Sequence, residues 1–263
     1  MFFDAHTHAF HPKIAAKATV KLEEHYKIKL TGTGVLDDLL ARTKKAGLDK
    51  VVVLCAATAA AQVVPANNFA IELGKTPEVI PFGTIHPDYE DWKSQMDILR
   101  AAGIKGLKLH PDFQGFRMDD PRLLPIIEET QDDFVYMWHV GDVLPPKENP
   151  SCPYKLAALM DMFPRARFIA AHFGGYQHWD YAMEALVGRK VWFDTSSALE
   201  FMTDAQLKGI LDKHPREYIL FGSDYPLYDA SEEYKVLQHR TGYSDAIMEE
   251  LLSNAGELLG ITE

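Results

Sequence analysis

Phe2-Phe3-Asp4-Ala5-His6 opens the chain as a run of strand length, and with Thr7-His8 after it the run closes on two histidines one residue apart. Alternate residues of an extended chain point to the same side, so both imidazoles can reach one ion. An isolated H-x-H is a weak motif; its weight comes from the pattern of the remaining chain. Seven more apolar runs of strand length recur at residues 50–55, 79–85, 106–110, 134–139, 167–172, 191–194 and 218–222. Their near-continuous apolar character marks strands covered on both faces. Between them, helical spacing predicts helices at 37–46, 92–102, 121–130, 154–163, 179–187 and 205–213, several closed by Gly or Pro.

Strands alternating with helices give a parallel sheet. Eight repeats in 263 residues fit a closed α/β barrel, which commonly needs about 250. The Gly-rich dinucleotide fingerprint of the open doubly wound sheet does not follow the first run. The expected architecture is therefore a (β/α)8 TIM barrel forming one domain over residues 1–263. The connection at residues 9–34 is its main insertion and a candidate lid.

The net charge of −11, with no basic stripe, argues against nucleic acid or an anionic membrane as partner. No apolar run approaches the roughly 20 residues that span a bilayer. Cys55 lies in an apolar run and Cys152 in a Pro-flanked loop, which is no disulfide framework. The N-terminus has neither the basic nor the apolar region of a signal peptide. These features lead to the expectation of a cytoplasmic protein.

Five of the 11 histidines, His6, His8, His110, His139 and His172, fall at or just past predicted strand ends, and Asp224 follows the last strand. Strand ends of a barrel converge on its active-site face. His6, His8, His139 and Asp224 make a sensible set for Zn2+, with Mn2+ and Fe2+ compatible with the same ligand types. His139 also reads as a buried histidine satisfied by backbone, and Asp224 as a helix N-cap or turn residue. His172 reads as a group behind the ligands or facing substrate. His110 either hydrogen-bonds substrate or fixes the turn at Pro111. Lys108 shares its face by alternation. That puts an amine inside the barrel, to pair with a substrate carboxylate, become a carbamylated metal bridge or form a structural ion pair. Arg117 is a second candidate for the carboxylate. His86 reads as structural, and the remaining histidines receive no role.

Asp4-Ala5-His6-Thr7-His8, Gly106-Leu107-Lys108-Leu109-His110-Pro111, Ala171-His172-Phe173-Gly174-Gly175 and Gly222-Ser223-Asp224-Tyr225-Pro226 together resemble the amidohydrolase superfamily. The resemblance is closest to its amidohydrolase-related branch, which holds aminocarboxymuconate semialdehyde decarboxylase, resorcylate decarboxylases and dicarboxylate lactonases. It implies metal ligation by His6, His8, His139 and Asp224. It also implies that His172 polarises substrate or shuttles a proton. The β-sandwich domain of many deaminase-like relatives has no counterpart here, and a homodimer would be in keeping with the family.

The expected activity is hydrolysis of a small carboxylated ester, lactone or amide. A bound ion would lower the pKa of its water toward ~7. Asp224 would take the proton, His172 would stabilise the oxyanion, and Lys108 and His110 would bind substrate. Non-oxidative decarboxylation at the same site is one alternative, and a barrel that binds a metabolite without turnover is another.

Overall fold

The computed structural model describes residues 1–261. In chain order the elements are β1 (Phe3–Thr7), α1 (Pro12–Tyr26), α2 (Leu36–Lys45), β2 (Lys50–Leu54), α3 (Val63–Leu73), β3 (Val79–Gly83), α4 (Trp92–Ala101), β4 (Gly106–Leu109), α5 (Pro111–Gln114), α6 (Leu124–Thr130), β5 (Val135–Trp138), α7 (Pro153–Met162), β6 (Arg167–Ala170), α8 (Trp179–Ala185), β7 (Trp192–Asp194), α9 (Asp204–Leu211), β8 (Ile219–Leu220), α10 (Ala230–Thr241) and α11 (Asp245–Leu259). The strands form one parallel sheet in sequential order β1 to β8. β1 and the end of β8 meet through Ala5 N–H donating to Phe221 O at 2.8 Å and Asp224 N–H to His6 O at 2.8 Å. The result is a (β/α)8 barrel.

Each predicted strand is present, most of them trimmed at one or both ends. The expected helix at 121–130 begins only at Leu124, with a proline in its first turn. Most of the 9–34 insertion is α1, which carries Pro12 at its first position and closes on Lys27 at φ 56°. Pro suits that position because its missing N–H has no partner there in any case.

Two apolar layers result. Phe3, Ala5, Val52, Phe82, Met137, Ile169 and Leu220 fill the barrel interior, and Ala255, Leu258 and Leu259 of α11 pack against them. A larger layer lies between the strands and the surrounding helices, with Val51, Leu107, Trp138 and Phe193 among its members. Gly106 is required on the inner face, since a Cβ there would lie 2.4 Å from the Phe82 ring. Cys55 and Cys152 are buried and free. Among the described residues no helix is long and apolar enough to cross a membrane.

Candidate metal centre

A slip in β1 decides where its histidines point. Its pairing with β2 shifts between Asp4 and Thr7. Before the slip Phe3 and Ala5 face the barrel interior. Past it, His6 and His8 line the cavity at the barrel mouth, while Thr7 Oγ1 donates to Val52 O at 2.8 Å. Bulges of this kind commonly re-aim a side chain at a functional site.

His6 Nδ1 hydrogen-bonds Asp194 Oδ2 at 2.9 Å and Ser196 Oγ at 3.1 Å. His8 Nδ1–H donates to Leu54 O at 3.2 Å. With the Nδ1 atoms so engaged, the two Nε2 atoms turn toward one carboxylate oxygen, Asp224 Oδ1, at 3.5 Å from His6 and 3.2 Å from His8. Burial lowers the pKa of His8 against the pull of Asp224, so its Nε2 is a bare lone pair facing an anion. Asp224 itself is held well below the usual carboxylate range; burial pushes it up, and His6, His8 and His172 outweigh that. Lone pairs gathered at such short range need a cation. Ligand atoms about 2.0–2.1 Å from a tetrahedral ion stand about 3.3 Å apart, close to the separations found here. The donor set fits a divalent metal.

The loops after β6, β7 and β8 hold the rest in place. His172 (φ 61°), Phe173 (φ 53°), Ser197 (φ 48°) and Asp224 (φ 62°) all occupy the left-handed region. Such conformations persist where surrounding contacts over-determine them, and they cluster at functional sites. Ser197 Oγ donates to Asp224 Oδ2 at 2.5 Å. Asp194 Oδ1 accepts from the His172 and Ser196 N–H groups, each at 3.1 Å. Gly222 lets β8 approach, because a Cβ there would lie 2.8 Å from that of His6.

His6, His172 and Asp224 each place a ligand atom within 4.8 Å of the others'. His139 stands one step back, its Nδ1 3.0 Å from His172 Nε2. Its donor groups instead with those of His110 and Asp112. The His110 ring stacks on His139 at 3.8 Å, and His110 Nδ1 accepts from Phe113 N–H, capping α5. His110 therefore fixes the turn and still lines the cavity. Lys108 is buried with Nζ 3.5 Å from His6 Nε2. Burial pulls its pKa down to about 8 against the attraction of Asp224 and Asp194. Arg117 is paired with Asp119 on the surface and does not line the cavity, so it is not placed to receive a substrate carboxylate. His86 is structural, bonded to Gln114 O and Asp88 N.

Sequence reasoning passed over Asp194, Ser196 and Ser197. Their signal was position: an acid closing the seventh apolar run, followed by Thr-Ser-Ser.

Among curated protein sequences none matches this chain significantly. Solved structures share the fold at low identity. A dihydroxybenzoic acid decarboxylase from a Polaromonas species, with bound manganese and the inhibitor 2-nitroresorcinol, is 15% identical, with TM-score 0.73 over 100% of this chain and 97% of that one. A probable 2-pyrone-4,6-dicarboxylic acid hydrolase from Acinetobacter baumannii, with citric acid bound, is 15% identical, with TM-score 0.73 over 98% and 99%. An amidohydrolase from Burkholderia multivorans with bound zinc is 14% identical, with TM-score 0.74 over 100% of both chains. The family profile described as amidohydrolase matches residues 3–261, almost the whole barrel. The chain belongs to the amidohydrolase family.

Proposed function

We propose that this protein is a metal-dependent hydrolase of carboxylated esters, lactones or amides. The observation that carries the reading is the convergence of His6 Nε2, His8 Nε2 and Asp224 Oδ1. In it, His6, His8, His139 and Asp224 hold a divalent ion, with Zn2+ first and Mn2+ or Fe2+ next by ligand type. Such an ion, when bound, supplies Lewis acidity and acidifies water. Asp224 takes a proton from the attacking water and returns it to the leaving group. His172, its Nδ1–H held by Ser196 O, takes up a proton on Nε2 and gives it to the substrate carbonyl oxygen as charge develops there. The Lys108 ammonium, at the base of the same cavity, pairs with the substrate carboxylate.

Metal analysis of protein purified without chelator tests the centre. About one equivalent is expected, and none in a His6→Ala/His8→Ala variant; a metal-free protein that cannot be reconstituted would remove the ion from the reaction. His139→Asn should lose the metal and His172→Asn keep it; the reverse result would exchange their roles. Asp224→Asn should lower turnover about 10²–10⁴-fold with the fold intact. Lys108→Met should raise KM about 10- to 100-fold for carboxylated substrates and much less for their uncharged analogues. Decarboxylation is the second reading, favoured by the likeness in fold to the Polaromonas decarboxylase. Release of CO2 without uptake of water would establish it in place of hydrolysis.

A further inference from the structure

The cavity above the polar base holds about 770 Å3. About 150 Å3 suffices for a benzene ring, and pockets of roughly 300–1,000 Å3 take ligands of drug size. Its roof is α1, where Ile14, Ala18, Leu22 and Tyr26 stand four residues apart, on one face. All four line the cavity, as do Ala66 and Phe69 of α3. Of the 15 residues of α1 only Ala15 is buried, and Ile14 is 54% exposed. Tyr26 packs its ring near Phe113 and Tyr176, and the rest of the row leaves the seating of the helix to Ala15. His6, His8, Lys108 and Asp224 line the same space, so the row and the polar base form one continuous site. No arginine is among the lining residues, and the two lysines of α1 that line the cavity, Lys13 and Lys21, are exposed at its rim beside the apolar row.

We propose that the substrate is an amphiphilic acid derivative. Its polar, carboxylated head meets the His6–His8–Asp224 base, and an apolar body larger than a single ring lies under Ile14, Ala18 and Leu22. Only the placement of the head rests on the function proposed above. The body is recognised by burial alone, which favours each added methylene about fourfold when it is fully covered.

The test is calorimetric titration with straight-chain carboxylates from acetate to dodecanoate, below their micellar concentrations. The protein is used as purified, beside the His6→Ala/His8→Ala variant. Affinity should rise about two- to fourfold per methylene well beyond the length of butyrate, in both proteins. Ile14→Asp places a charge at a position already 54% exposed. It should weaken dodecanoate at least tenfold, with a loss that shrinks as the chain shortens. Affinity independent of chain length, or a chain-length dependence untouched by Ile14→Asp, overturns the proposal even if the protein binds metal and turns over small acids. Chain-length dependence that Ile14→Asp abolishes, in a protein without metal or turnover, supports it and defeats the reaction alone. Dissociation of an oligomer by Ile14→Asp, with chain-length dependence intact, assigns the row to a subunit contact and also overturns it.

Discussion

Removing the carboxylate of Asp194 leaves His6 Nδ1 and the N–H groups of His172 and Ser196 without their acceptor in a buried setting. The carboxyl is depressed: burial pushes it up, and His6 and His172 more than offset that. A carboxylate behind a histidine fixes the ring and its tautomer, and losing it typically costs 10- to 100-fold in metal affinity. Asp194→Asn retains the shape but turns amide hydrogens toward groups that already donate. Metal affinity measured by chelator competition should fall about 10- to 100-fold while the far-ultraviolet spectrum stays unchanged; an unchanged affinity would deny Asp194 this positioning role. At this scale the sequence is informative where residue type is rare at strand ends, as with His6, His8 and Asp224. It is silent where the residue type is common. Asp194 and Ser196 differ from ordinary strand-end polar residues through their partners elsewhere in the chain, His172 and, about 190 positions away, His6.

Helices lying between apolar runs and closed by Gly or Pro, such as α2, α7 and α9, were legible, whereas α1, α3, α10 and α11 were not. Gly47 after α2 adopts φ 73°, as a C-terminal glycine should. Thr203 and Gln206 form a reciprocal capping box at the start of α9. Thr203→Ala should cost about 1 kcal/mol, read as a fall in Tm of roughly 2–4 °C by calorimetry for a domain of this size. No change would mean that solvent replaces the cap without loss. In α1 the N-cap is His11 and the C-terminal left-handed residue is Lys27, neither a signal that composition provides. Its apolar row serves a cavity rather than a core, so the usual broad stripe is missing. The same fact makes it the loosest of the long helices, since opening follows from sparse burial. Amide exchange in α1 should be faster than in α7, where Leu156, Leu159 and Met160 are buried. A bound long-chain carboxylate should slow it, whereas equal protection of α1 and α7 in the free protein would show that α1 is held by more than Ala15.

At the scale of the whole molecule the barrel has two ends with different duties. Eight apolar runs made the closed sheet readable, because period and length constrain the topology. The plug formed by α11 was not readable, since it depends on how Leu258 and Leu259 meet Phe3 and Ile80 across the closed end. Function belongs to the face of the strand C-termini, and the opposite face bears on stability. His214 lies on that opposite face, in the connection from α9 to β8. Its Nε2–H donates to Val191 O at 3.0 Å and its Nδ1 accepts from Gly188 N–H at 3.1 Å, with the ring stacked on Phe193 at 4.1 Å. Both nitrogens are committed in the neutral form, and protonation would break the bond from Gly188. Burial pulls its pKa from 6.5 to about 4, against the carbonyl of Val191. Between those values the unfolded chain binds the proton and the folded chain does not. Stability therefore rises with pH across this window. The contribution is fully present above pH 6.5 and is lost as pH falls through 6.5 toward 4. His214→Gln cannot titrate, so the gap in Tm between the native protein and this variant should be widest above pH 7 and close steadily toward pH 4. A gap of constant size across that range would mean that His214 folds with its ordinary pKa. Because the residue is far from the metal centre, the same gap should be found with and without metal.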